Sequence, residues 1–219
     1  MKILLTGFEP FGGNKVNPSW EVASKLNGIK ILDAEIIAEK LPVAFKRVIS
    51  ILPELISKHN PQIFIGLGLS GGRPAIMVER VAINIMDSEK PDNDGYKPED
   101  ELIIEDGPVA YFATIPVKRI IRRLRREGIP AFISNSAGTY VCNTVMYLSL
   151  HLMTKKDPKG MAGFIHLPYL PEQVLNKPQP SMSLDMMIKA IKLAIEESVK
   201  EFKGIGESAQ MGDESSSLS

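Results

Sequence analysis

Apolar residues along this chain fall into two kinds of run. Short, nearly continuous stretches read as buried strands: KILLT at 2–6, QIFIGLGL at 62–69, IPAFIS at 129–134 and MAGFIH at 161–166. Between them lie stretches with apolar residues every three or four positions, which read as helices. The first starts from an Asn17 cap with Pro18 at its first position, turns Trp20, Ala23 and Leu26 inward, and stops at Asn27–Gly28. A second runs from Val43 to Lys58 with Val48, Leu52, Leu55 and Ile56 on one face, and Pro53 is expected to kink or split it. Val117–Arg126 (closed by Gly128), Val141–Met153 and Ser181–Phe202 complete the helices. Residues 30–41 and 75–85 look extended, and the polar, turn-rich segment 87–108 reads as an irregular excursion.

Strands alternating with helices predict an α/β fold, a largely parallel sheet covered on both faces. The pattern fills residues 1–203 as one domain. The remainder, 204–219, has too few apolar residues to pack and is expected to be disordered.

Composition removes several functions. The chain is 44% apolar and 24% charged, and its 26 basic and 26 acidic residues cancel, so no global charge draws it to nucleic acid or an anionic membrane. No apolar run approaches the ~20 residues of a membrane helix. Lys2 is followed by three apolar residues only, too few for a signal-peptide core. With a single cysteine, these features point to a reducing cytoplasm. The basic stretch KRIIRRLRRE at 118–127 reads as a solvated helix face, because no aromatic is interleaved in it. No Cys/His cluster has metal-ligand spacing, and no metal or cofactor is expected.

In such sheets, ligands sit beyond the carboxyl ends of the strands. Cys142 falls at the loop-to-helix junction after strand 129–134, in a first helical turn whose free N–H groups favour a thiolate. A buried packing thiol is the competing reading. Of the three histidines, His151 is nine residues along the same helix, roughly 13 Å away. His59 closes a helix at the sheet's amino edge, where it suits a helix C-terminal cation. His166 ends strand 161–166 and is expected at the same carboxyl edge as Cys142. Glu79, between Val78 and Val81 in an extended stretch, is a carboxylate that needs a partner or faces water. The loops GFEPFGG and GLGLSGG both follow strands, but neither fits a dinucleotide or P-loop pattern. Phe8 and Phe11 in the first of them could line a small apolar pocket or pack beneath their own loop.

The chain resembles the pyroglutamyl peptidase type I family, cysteine exopeptidases, over residues 1 to about 203. The matching stretches are TGFEPFGG…NPSW at 6–20, GLGLSGGR…VERVAINI at 66–85, PDNDG at 91–95, SNSAGTYVCN at 134–143 and GFIHLPYLPEQ at 163–173. The resemblance implies a three-layer α/β/α sandwich with a twisted, mainly parallel sheet, and a homo-oligomer, commonly a tetramer. It implies a catalytic triad of Glu79, Cys142 and His166, and substrates that are peptides beginning with L-pyroglutamate. Phe8 and Phe11 would sandwich the lactam ring, Val43, Tyr140 and Val141 would line the pocket, and backbone groups around Asn17 and Leu69 would hydrogen-bond the lactam. The family often has Asp-Ala-Arg-Ile before PDN. Here residues 87–90 are Asp-Ser-Glu-Lys, so an arginine sometimes placed near the oxyanion is replaced by Glu89 and an apolar pocket residue by Lys90.

Overall fold

A computed structural model describes residues 1–205; the tail expected to be disordered lies, from residue 206, outside the described residues. The strands are β1 (Lys2–Phe8), β2 (Lys30–Ile31), β3 (Ala34–Leu41), β4 (Ile63–Leu69), β5 (Ile76–Glu79), β6 (Val81–Ile83), β7 (Ala110–Phe112), β8 (Ala131–Ser134) and β9 (Met161–Leu167). The helices are α1 (Pro18–Leu26), α2 (Phe45–His59), α3 (Val117–Arg126), α4 (Val141–Lys156) and α5 (Leu184–Phe202). Seven strands form one sheet in the order β2-β3-β1-β4-β9-β5-β8, and β6 and β7 pair as a separate ribbon.

Strand alternation divides the interior into two layers. Ile3 and Leu5 of β1 and Ile63, Ile65 and Leu67 of β4 pack against α1, α3 and α5. Leu4 and Phe64 face the other way, onto α2 and α4. The result is the α/β/α sandwich that the resemblance implied. The core of the sheet is parallel (β3, β1, β4 and β9), while β2 runs against β3 and β5 against β9.

Three expectations need correcting. Helix α2 runs through Pro53 as one element. Losing one backbone bond costs about 3 kcal/mol, and burying Val48, Leu52 and Ile56 at ~1.5–3 kcal/mol each offsets that. The extended stretch 75–85 breaks at Arg80 into β5 and β6, and β6 finds a partner in β7, which no periodicity announced. The last helix begins at Leu184, with the Ser183 side chain accepting from the Met186 N–H as its cap.

The excursion between β6 and β7 is irregular but anchored. Helix α2 has no side-chain cap of its own at Ala44. Buried Asp92 supplies one from a distance: Oδ2 accepts from the Phe45 N–H at 2.8 Å, and Oδ1 from the Asp94 and Tyr96 N–H groups at 3.0 and 2.8 Å. The PDNDG segment thereby becomes a wall beside the helix start.

Candidate active site

Strand pairing puts Glu79 and His166 on one face. Met77 of β5 lies opposite His166 of β9, and Glu79, two residues on, shares its side of the sheet. His166 Nδ1–H donates to Glu79 Oε1 at 2.7 Å, with both side chains buried. The second oxygen, Glu79 Oε2, is buried without a hydrogen-bond partner, an expensive arrangement that a purely structural ion pair would not need. Phe164 fixes the imidazole plane edge-on, with ring centroids 5.0 Å apart.

Cys142 reaches this pair by a route other than the one expected. Because β5 runs against β9 and β8 runs with β5, the carboxyl ends of β8 and β9 point in opposite directions. Cys142 and His166 therefore do not share an edge through their own strands. The strands are short, however, and Ser134 stops level with Glu79. The six-residue loop 135–140 then turns back and starts α4 over Gly68, the residue opposite His166 in the β4–β9 register. Cys142 comes close enough to His166 for the two side chains to act on one another. Since Nδ1 is taken by Glu79, Nε2 is the nitrogen left to serve the sulfur.

Gly68 makes that approach possible, and sequence patterning gave no reason to select it. A Cβ there would lie 3.0 Å from Cys142 Sγ and 2.8 Å from a Phe164 ring carbon. Phe164 is held between Phe8 and His166 and has no room to yield. Gly68→Ala is expected to cost about 1–3 kcal/mol of stability and to lower turnover by displacing the sulfur. Denaturant unfolding and a steady-state assay would check both, and a variant that matched the parent in each would contradict the packing.

Asn143, next to the nucleophile candidate, holds the helix start in place. Buried, it accepts from the Ile83 N–H at 3.0 Å and donates to the Ile83 and Ile85 carbonyls at 2.9 and 3.0 Å. Helix α4 has no side-chain cap at Tyr140, and the Asn143 and Thr144 amides return to the Tyr140 carbonyl. The amide of Cys142, in the first turn, is thus free of intrahelical bonding.

All seven residues that the resemblance assigned to the pocket line one cavity together with Cys142. Phe8 is buried against Phe164, and Val43 and Val141 are buried walls. Both polar atoms of the Asn17 side chain are engaged: Oδ1 accepts from the Ser19 N–H and hydroxyl, and Nδ2 donates to the Glu9 carbonyl. Glu9, missed in the sequence, ties the loop to its surroundings by accepting from the Val43 N–H and the Asn93 side chain. The cavity volume is about 20 Å³, room for about one water. Phe11 is half-buried and followed by Gly12 and Gly13, both at positive φ, so this wall can move while Phe8 cannot.

Electrostatics favour a charged imidazole. Burial opposes the charge on His166, but the neighbouring Cys142 and Glu79 side chains outweigh it and push the group up to about 10. The other histidines are engaged elsewhere. His59 closes α2 and bonds Glu39 at 2.7 Å, and His151 bonds the Tyr111 hydroxyl at 2.8 Å. Part of the basic helix face is also neutralised, since Arg119 pairs with Glu197 and Glu201 of α5. Among the described residues no His/Cys/Asp/Glu group could hold a metal ion.

Comparison with known proteins gives consistent matches. The family model described as pyroglutamyl peptidase matches residues 1–201. The pyrrolidone-carboxylate peptidase of Thermococcus onnurineus is 54% identical over 200 residues, covering 91% of this chain and all of the relative. Pyrrolidone carboxyl peptidase from the hyperthermophile Pyrococcus furiosus superposes with a TM-score of 0.89 at 50% identity, covering 92% of this chain and 100% of that one. The enzyme from Thermococcus litoralis gives 0.90 at 45% identity, covering 96% and 98%.

Proposed function

This chain belongs to the pyroglutamyl peptidase family, and from that premise we propose that it removes N-terminal pyroglutamate through a Cys142–His166–Glu79 triad and a thioester intermediate. The Cys142 thiolate attacks the carbonyl carbon of the pyroglutamyl residue, and the Cys142 backbone N–H at the start of α4 receives the oxyanion. The His166 imidazolium passes its proton to the leaving nitrogen, the C–N bond breaks, and the shortened peptide departs with a free amine. His166, now neutral, takes a proton from water as the oxygen attacks the thioester. Free pyroglutamate leaves, and thiolate and imidazolium are restored. Glu79 holds the imidazole with Nδ1–H toward itself and Nε2 toward sulfur. The observation that carries this reading is the buried 2.7 Å bond between His166 and Glu79 with the chain's lone thiol close to the same imidazole.

The lactam enters the cavity below Phe11, which must swing aside because about 20 Å³ cannot take a five-membered ring. Phe8 then supports one face of the ring and Phe11 closes on the other. The assay is direct: purified protein should hydrolyse a pyroglutamyl-anilide reporter, and a thiol blocker should abolish the reaction. No hydrolysis, or hydrolysis indifferent to the blocker, would overturn the reading.

The pH dependence follows from the raised His166. Its folded value lies above the ordinary 6.5, so the proton needed by the leaving group persists through neutral pH and is lost only as pH climbs past that value. Glu79→Gln removes a neighbouring negative charge without changing shape. The alkaline limb of kcat/KM should move to lower pH, with measurable residual activity. A limb that stays in place would show that Glu79 does not act on the imidazole.

We read residues 1–203 as a single domain, because both apolar layers share one sheet. Among the described residues no helix is long and apolar enough to cross a membrane. A working thiol suits a reducing compartment, and we assign the protein to the cytoplasm. Val109 and Phe112, 86% and 72% exposed at the β6–β7 ribbon, support a homo-oligomer, and we take the tetramer as its form.

A further inference from the structure

A groove of about 620 Å³ adjoins the lactam cavity and shares Phe11 and Tyr140 with it. That volume is typical of a small-ligand cleft and far larger than the cavity itself. Phe8, Val43 and Val141 are buried behind the lactam, so a peptide continuing past Cys142 leaves between Phe11 and Tyr140. Another cleft, at Gly160 and Met161, opens at the start of β9, five residues or roughly 17 Å from His166, and cannot receive it. The groove between the 11–14 loop and the 87–93 wall is therefore the bed of the leaving peptide.

Most polar heads lining this bed are already engaged within its own walls. Asn14 donates to the Phe11 carbonyl, Ser88 to the Lys90 carbonyl, Asn93 to Glu9 and the Pro10 carbonyl, and Tyr140 to the Pro91 carbonyl. Asp87, Glu89 and Lys90 differ: among the described residues, none of their side chains carries a hydrogen bond or ion pair. Of the three, Asp87 alone is bonded to the segment that leads to Cys142. Its N–H donates to the Thr139 carbonyl at 3.1 Å and the Thr139 hydroxyl donates to its carbonyl at 2.7 Å, which fixes it against the segment three residues before Cys142. Asp87 is partly buried, whereas Glu89 and Lys90 are exposed on the turn beyond it. On the far wall, Lys177 sits 6.0 Å from the ring centre of Tyr169.

We propose that Asp87 is a specificity-determining residue for the leaving peptide, favouring a lysine or arginine directly after pyroglutamate. This rests on the peptidase reading above. A partly buried carboxylate attracts a cationic side chain and repels an acidic one, and the effect weakens with salt. The preference for lysine over glutamate at that position should be about fivefold in kcat/KM at low ionic strength.

The test compares pyroglutamyl-Lys, pyroglutamyl-Ala and pyroglutamyl-Glu peptides of otherwise identical sequence, in the parent protein and in Asp87→Asn. Ratios between peptides within one protein cancel any general loss of activity. The parent should rank Lys over Ala over Glu, the spread should shrink in high salt, and Asp87→Asn should reduce the Lys/Glu ratio to within about twofold. A parent ratio near one, or a ratio unchanged in Asp87→Asn, overturns the assignment. Pyroglutamyl-anilide separates the two levels, since it has no residue in the bed. Hydrolysis of the anilide with no peptide preference sinks this proposal alone, and no hydrolysis of the anilide sinks the peptidase reading and this proposal with it.

Discussion

Cys142→Ser should lower kcat/KM on a pyroglutamyl reporter by roughly 10⁴-fold or more, while the fold survives. The exchange is nearly isosteric and leaves the α4 start, its Asn143 anchor and the Gly68 contact unchanged. What changes is the nucleophile. A thiol is by nature far more acidic and more nucleophilic than an alcohol hydroxyl. The remaining groups, the free amide at the head of α4 and the apolar cavity, still bind substrate but have nothing to deliver to its carbonyl. Unfolding of the variant should match the parent within about 1 kcal/mol, which distinguishes lost chemistry from lost structure. A serine variant that kept full activity would mean the sulfur is packing material.

Discrimination against open-chain substrates should be nearly as large: about 10³-fold in kcat/KM between a pyroglutamyl and a glutaminyl reporter at pH 6. Pyroglutamate has its amine locked in a neutral lactam, whereas N-terminal glutamine carries an ammonium. The cavity walls at Phe8, Val43, Leu69 and Val141 are apolar and no acidic residue lines them, so an ammonium would be desolvated without a partner, at several kcal/mol. The chain could instead enter as the neutral amine. With an ordinary α-amino value near 7.7, that form is about one part in fifty at pH 6 and dominant at pH 9. The gap should therefore narrow by up to about 50-fold between those pH values and then level off at a remainder set by shape. A gap that is small throughout would refute the dry-pocket account, and one that is large but independent of pH would leave shape alone as its cause.

The sequence disclosed the fold wherever burial imposes a period. β4 and β9 are continuous apolar runs because both their faces are covered, and α1 has a polar cap, a proline and a glycine at its limits. It disclosed less where a partner far along the chain decides. β7 exists because β6 needs an edge, α2 is capped by Asp92 from 47 residues away, and Pro53 is tolerated because the apolar face around it is buried. The site shows the same division. Elimination among three histidines reached His166, and charge in an apolar stretch singled out Glu79. The reason given for their meeting Cys142, a shared carboxyl edge, was incorrect: β8 opposes β9, and the turning loop 135–140 with the bare backbone at Gly68 closes the distance instead. Gly68, Glu9 and Asn143 escaped notice because glycines, acids and amides are common, and only the packed structure shows what each touches.

The central claim is that Cys142 becomes covalently acylated, and mass analysis reads this directly. Protein turning over a pyroglutamyl ester is quenched in acid, digested, and the peptide containing Cys142 weighed. The account predicts that this peptide, and no other, gains the mass of one pyroglutamyl acyl group, and that the adduct disappears on treatment with hydroxylamine. An unmodified Cys142 peptide from enzyme caught turning over a substrate whose acyl-enzyme must accumulate, or an adduct on another residue, would contradict it.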